Sequence, residues 1–202
     1  MPLELVFALA LFALVMAGTP GPNNMMVMAS GLNFGFRRTL PHMFGIAGGF
    51  GLMCVLVGLG LGQVFATWPV IYTLMRLMGV AYLLWLAIAI WRSGPIEGGG
   101  ERGKPLSFLE GALFQWVNPK AWVIAVGAVS AYGQPGQFAT SVAIIGLVMA
   151  AVTVPCVAIW TAFGASLRAI LTHPRQVIWF NRGMATLLIL SLWPILADLI
   201  TR

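Results

Sequence analysis

The chain reads as an all-α polytopic membrane protein. It is expected to have six transmembrane helices in a 3+3 inverted repeat, with interrupted first and fourth helices. Three observations carry that reading. The composition is 60% hydrophobic and 8% charged, against about 25% charged in soluble domains. The apolar runs are continuous rather than alternating, which argues against a β-barrel. Matched Pro/Asn interruptions fall in the first and fourth runs.

A span needs about 20 apolar residues. The first expected span runs from about Leu3 to Ala29 and the second from about Leu40 to Ala66. The third runs from about Pro69 to Trp91, the fourth from about Phe108 to Ala131, the fifth from about Phe138 to Leu167 and the sixth from about Val177 to Ile200. Residues 1–202 form a single membrane transport domain in this reading. Repeat one covers about 1–93, a cytoplasmic linker about 92–107, and repeat two about 107–202. With three spans in each half, the second half must lie inverted in the membrane.

The first span opens without a positive n-region and carries Glu4 instead, so it is read as retained rather than as a cleaved signal. It is then broken by Gly18-Thr19-Pro20-Gly21-Pro22-Asn23-Asn24. Proline removes a donor and clashes with the preceding turn. Each backbone group freed in lipid costs several kcal/mol unless protein or a polar cavity satisfies it, at about that magnitude. One of Asn23 and Asn24 is expected to cap the resumed helix and the other to face a cavity.

The second span holds Gly45-Ile46-Ala47-Gly48-Gly49, then Gly58, Gly60 and Gly62. Such small residues permit close helix approach within a subunit or between subunits. Arg76, in the third span, is expected to snorkel to the outer interface. The linker contains Gly98-Gly99-Gly100 and reads as flexible. Ser107-Phe108-Leu109-Glu110 then fits a capping box opening the fourth helix.

The fourth span repeats the interruption as Asn118-Pro119-Lys120. Paired breaks in corresponding helices point to a central site. Lys120 lies about 13 residues, or about 20 Å of helix, past Ser107, too deep for easy snorkelling. A lysine there usually faces a cavity or a partner, and no Asp or Glu lies mid-span. Its partner is either the carbonyls at the Gly18–Pro22 break or an anionic group on a substrate. Gln115 shares a helix face with Asn118. The candidate substrate-binding residues are therefore Pro20, Gly21, Pro22, Asn23, Asn24, Gln115, Asn118, Pro119 and Lys120.

Positive charge marks alternate loops. Arg37 and Arg38 follow span one. Arg92, Arg102 and Lys104 (with Glu97 and Glu101) follow span three, and Arg168, Arg175 and Arg182 follow span five. The two remaining loops are uncharged. The positive loops belong in the cytoplasm, which puts both termini outside it. The net charge of +6 is thus a topology signal, and no nucleic-acid partner is expected. His42 and His173 read as interfacial residues rather than proton relays. Trp68, Trp91, Trp179 and Trp193 sit near span ends as an aromatic belt. Cys54 and Cys156 lack metal or CxxC spacing and read as buried packing residues. No catalytic group, cofactor or metal is expected.

These motifs resemble the LysE/RhtB amino-acid exporters. Pro20-Gly21-Pro22-Asn23 and Asn118-Pro119-Lys120-Ala121 match that family's two hallmark motifs. Gly79-Val80-Ala81-Tyr82-Leu83-Leu84-Trp85 resembles its third-span pattern, and the Gly-rich second span agrees. The resemblance covers essentially the whole chain. It implies efflux of amino acids across the bacterial inner membrane, driven by the proton-motive force, by a homodimer in the lipid bilayer. Some members carry an acidic residue where this chain has Phe50. That departure shifts the expected substrate from basic to neutral or zwitterionic amino acids. Two alternatives belong to other classes: a transmembrane thiol redox carrier using Cys54 and Cys156, and a non-transporting membrane scaffold.

Overall fold

The computed structural model describes residues 1–61, 67–92, 104–171 and 173–193, the side chains of 61, 69, 71, 72, 75, 76, 168 and 169 excepted. The Arg76 side chain, the Gly98-Gly99-Gly100 linker and the end of the sixth expected span fall outside these residues.

All regular structure among the described residues is helical. Helix α1 (Leu3–Gly18) and helix α2 (Pro22–Phe34) are one apolar run bent by 61° at its break. The run continues past Ala29 to Phe34, and ten residues of α2 are buried. It stops at Gly35, whose φ of 82° lies in the left-handed region that favours glycine. Helix α3 (Phe36–Leu56) therefore begins four residues before Leu40. Its first turn carries Arg37 and Arg38, which an apolar count excludes but a helix accepts readily. It runs into a π turn, Val57–Leu61, where Gly60 has a φ of 111°.

Helix α4 (Pro69–Arg92) follows. Ser107 then opens helix α5 (Phe108–Val117) with the expected capping box: its Oγ accepts the Glu110 N–H at 3.2 Å, and its own N–H donates to Glu110 Oε2 at 2.7 Å. Helix α6 (Pro119–Tyr132) resumes after Asn118. A short 3₁₀ turn, Pro135–Gln137, leads into helix α7 (Phe138–Ile170). The 33 residues of α7 make a rod of about 50 Å. Helix α8 (Pro174–Leu190) closes the bundle.

By length and apolarity alone, Phe36–Gly60 and Pro135–Leu167 can each cross a membrane, and the bent α1–α2 pair makes a third crossing if taken as one span. The outer surface suits lipid: Leu3, Phe7, Leu11 and Leu14 form one exposed apolar face of α1, and Leu147, Ile159 and Phe163 are exposed on α7. Trp68, Trp91, Trp179 and Trp193 are exposed as well. Arg182 stacks on Trp91 and Trp179, its Cζ 5.3 and 5.6 Å from the ring centres.

Three apolar cores lie inside; the smallest joins α2, α3 and α7 through Val27, Ile46 and Val157, and two are larger. One joins α2, α4, α5 and α8 through Met25, Leu83, Phe114 and Leu188. The other joins α1, α3, α6 and α7 through Leu9, Met53, Ala125 and Ile145. The glycines of α3 serve packing within the subunit: Gly45 and Gly49 lie against Phe108 and Ala112 of α5 with no room for a Cβ. Gly31 of α2 meets Thr161 of α7 in the same way.

One expectation is corrected. His42 is not interfacial; it is fully buried. In the second turn of α3 it lies against Gly111 of α5 and shares a cavity wall with Ser30 and Asn33 of α2, so a position near a span end does not expose it. His173 does lie at the surface, at the start of α8.

Candidate functional site

The two helix breaks meet. Along the break in the α1–α2 run, each carbonyl from Val15 to Gly21 finds a donor. Val15 O accepts the Thr19 N–H, and Met16 O accepts the Thr19 hydroxyl at 3.0 Å. Ala17 O accepts Asn24 Nδ2 at 2.9 Å, and Gly18 O accepts the indole Nε1–H of Trp160 at 3.2 Å. Thr19 O accepts both Asn24 Nδ2 and Lys120 Nζ, each at 2.8 Å. Pro20 O accepts Lys120 Nζ at 3.3 Å, and Gly21 O accepts the Met25 N–H at 3.0 Å. This closed account is what makes a break at membrane depth tolerable.

Lys120 spends all three ammonium protons on this break, the third on Thr19 Oγ1 at 2.9 Å. Of its two expected partners, this conformation takes the carbonyls. Gly21 makes the approach possible: a Cβ there would stand 2.9 Å from Lys120 Cδ and 3.1 Å from Nζ. Gly21 itself is extended, with φ at −175°, so its role is space rather than an unusual dihedral.

The second contact is between Asn23 and Gln115. Asn23 Nδ2 donates to Gln115 Oε1 at 2.9 Å, and Gln115 Nε2 donates to Asn23 Oδ1 at 3.1 Å and to Gly111 O at 2.9 Å. Gln115 is fully buried, so this pairing satisfies an amide that would otherwise be costly. The expected cap of α2 by an asparagine is not formed. Gly21 is the N-cap and supplies no side-chain bond, because Asn24 turns back to α1 and Asn23 turns across to α5. Asn118 does cap its helix: its Oδ1 accepts the Lys120 N–H at 3.1 Å, with Pro119 next as the first helical residue.

A cavity of about 40 Å³ lies between the breaks. Gly21, Pro22, Asn23, Asn24, Gln115, Asn118 and Lys120 line it. Pro20 and Pro119 belong to the breaks but do not line the cavity. Phe50, the position of the missing acid, also lines it, and no carboxylate does among the described residues. Neither cysteine reaches it; Cys54 and Cys156 are buried free thiols.

Sequence reasoning missed Thr19, Thr153 and Trp160. Thr19 sits inside the quoted motif and is marked by its hydroxyl. Thr153 lines the cavity while its hydroxyl donates to Met149 O at 2.7 Å. Trp160 carries a fainter signal: it lies mid-span in α7, away from the belt where membrane tryptophans usually sit. The third-span motif also gains a function. Gly79 lies against the Val117 carbonyl with no room for a Cβ, and the Tyr82 ring packs on Phe114 at 5.7 Å. Together they seat α4 against the end of α5 at the second break.

The family described as LysE type translocator matches residues 14–201. Among curated proteins the chain is similar to the cysteine/O-acetylserine efflux proteins of Escherichia coli strain K12, Shigella flexneri and Escherichia coli O1:K1 / APEC. Each is 34% identical over 131 residues, covering 64% of this chain. The match spans 66% of each relative's own length, just under two thirds. No solved structure matches the chain.

Proposed function

The chain belongs to the LysE type translocator family, and from that premise we propose that it exports small neutral or zwitterionic amino acids across the bacterial inner membrane, driven by the proton-motive force. The observation that carries the reading is the meeting of two helix breaks around a polar cavity that offers an ammonium and no acid. In this reading all six expected runs span, the two halves form an inverted 3+3 repeat, and both termini face outward. The paired Pro/Asn breaks and the alternating positive loops support it.

The substrate carboxylate replaces Thr19 and Pro20 as partner of the Lys120 ammonium. It also meets the uncapped amides at the start of α2, where the helix dipole favours negative charge. Asn23 and Gln115 exchange their mutual bonds for bonds to the substrate's polar groups. A basic side chain would find no carboxylate to pair with. The efflux proteins similar to this chain are named for cysteine and O-acetylserine, both compact and neutral overall at pH 7, and these are the first solutes to try. The site lies between the two breaks, one from each half of the chain. Rocking one repeat against the other opens it to each side in turn.

The test is efflux from cells preloaded with a panel of amino acids, with and without a protonophore. Export of neutral solutes that collapses with the protonophore supports the proposal. Export of lysine and arginine alone, or export insensitive to the protonophore, contradicts it.

A further inference from the structure

A second cavity, of about 290 Å³, lies between α2, α3, α4 and the segment entering α5. Ser30, Asn33, Trp85 and Lys104 are among its lining residues, and so is His42. His42 is fully buried, and neither of its ring nitrogens has a hydrogen-bond partner among the described residues. A neutral imidazole carries one donor and one acceptor. Burying both unpaired is costly, and Ser30 and Asn33, the polar side chains of α2 beside the cavity, are already engaged. Ser30 and Thr39 hold each other at 2.9 Å, and Asn33 exchanges bonds with Asn181 at 3.1 and 3.2 Å.

His42 also touches the substrate machinery through one peptide. A Cβ on Gly111 would lie 2.8 Å from His42 O and 2.9 Å from its Cδ2. The Gly111 carbonyl is the acceptor that holds Gln115 Nε2, and Gln115 holds Asn23 at the break. A change of charge or position at His42 therefore bears directly on the residue that pairs across the site.

We propose that His42 is the proton-carrying group of the export cycle, binding and releasing the coupling proton in this cavity. The inference rests on the export reading above and names the residue through which its proton passes. In the outward-open state the imidazole takes a proton from the outer solution and becomes imidazolium. In the inward-open state it gives that proton to cytoplasmic water as the amino acid binds. One proton enters for each amino acid that leaves, and no electrons move. Histidine suits this because its ordinary titration falls near neutral pH.

The groups around it leave the role to His42. From α5 comes Glu110, whose carboxylate is held at 2.7 Å by both the backbone N–H and the hydroxyl of Ser107. Lys104 stands at the cavity wall ahead of α5. Among its described side chains, helix α4 carries Tyr82, packed on Phe114, and Arg92 at its end. Among its described side chains, α7 has Cys156 as its titratable group. Helix α2 has none, and α3 itself carries Arg37 and Arg38 in its first turn.

The experiment uses purified full-length protein in proteoliposomes, with cysteine and O-acetylserine as probes. His42→Gln keeps the size and polarity of the side chain but cannot titrate. It is expected to retain counterflow within about threefold and to lose the stimulation by an imposed pH gradient, a split that a merely structural role would not produce. Gradient-driven transport by His42→Gln equal to wild type overturns the proposal, and so does loss of counterflow together with coupling. A second measurement does not depend on the variant folding: adding substrate to the detergent-solubilised wild type in mildly acidic buffer is expected to release protons to a pH dye. Substrate binding without proton release also overturns it. Wild-type liposomes that show no counterflow with either probe would instead sink the export reading itself.

Discussion

The Lys120 ammonium donates to both the carbonyl and the hydroxyl of Thr19, at 2.8 and 2.9 Å, across 101 positions of sequence. This contact ties the break in the first apolar run to the break in the fourth. It also resolves why a lysine is tolerated so deep in a chain with no carboxylate nearby. The freed carbonyls are partial negative charges, and they do for Lys120 what an aspartate does elsewhere. Because the acceptors are neutral, a substrate carboxylate with a full negative charge can compete for the ammonium in the proposed export cycle.

Removing that charge should therefore abolish export without unfolding the protein. Lys120→Met keeps an unbranched side chain one atom shorter and leaves Thr19 O still bonded to Asn24. The expected result is a loss of at least about 10-fold in cysteine or O-acetylserine counterflow, equivalent to about 1.4 kcal/mol of substrate interaction. Surface expression should match wild type. Undiminished counterflow would show that the lysine is only a structural clasp.

Two glycines of the same motif should behave oppositely. A Cβ at Gly21 collides with the Lys120 side chain, whereas a Cβ at Gly18 meets nothing within 4 Å. Gly21→Ala is expected to weaken transport several-fold by pushing the ammonium off Pro20 and Thr19. Gly18→Ala, at the last position of α1, should be neutral for transport, and better helix propensity should raise stability by up to about 1 kcal/mol. Equal effects from the two substitutions would contradict the steric account of Gly21.

Most of this site was legible before any coordinates, for a physical reason. Prolines in an apolar run signal freed backbone groups wherever they occur, and Pro22 and Pro119 both stand at the first position of a resumed helix. A lone lysine in such a run signals a compensating partner. The choice of partner was not legible. Asn23 and Asn24 are chemically identical, and only the 61° bend decides that one reaches back to α1 while the other reaches α5. His42 was misjudged because depth was read along its own helix, while its burial comes from α2 and α5, distant in sequence. Trp160 was overlooked because tryptophan usually marks an interface, and its bond to Gly18 O depends on α7 passing beside the break.

That bond gives a stability prediction. Trp160→Phe keeps the ring in place but removes the N–H that reaches Gly18 O at 3.2 Å. A carbonyl left without a donor in an apolar setting costs about 1–3 kcal/mol. The variant should unfold at lower temperature in detergent, with substrate affinity less affected than stability. A variant as stable as wild type would mean that another donor takes over at Gly18.

The Asn23–Gln115 pair permits the sharpest energetic test, because its two bonds are reciprocal and Gln115 is fully buried. Asn23→Ala strands the Gln115 carbonyl oxygen, and Gln115→Ala strands the Asn23 amide. Each single change is expected to cost about 1–3 kcal/mol of stability. The double variant leaves neither partner stranded, so it should cost less than the sum, with a coupling energy of about 0.5–3 kcal/mol. Transport should follow a different rule. If these amides also receive the substrate, each single variant loses export and the double does not recover it, however much stability returns. Recovery of both stability and export in the double variant would assign the pair to architecture alone and move substrate recognition to Lys120 and the amides at the start of α2.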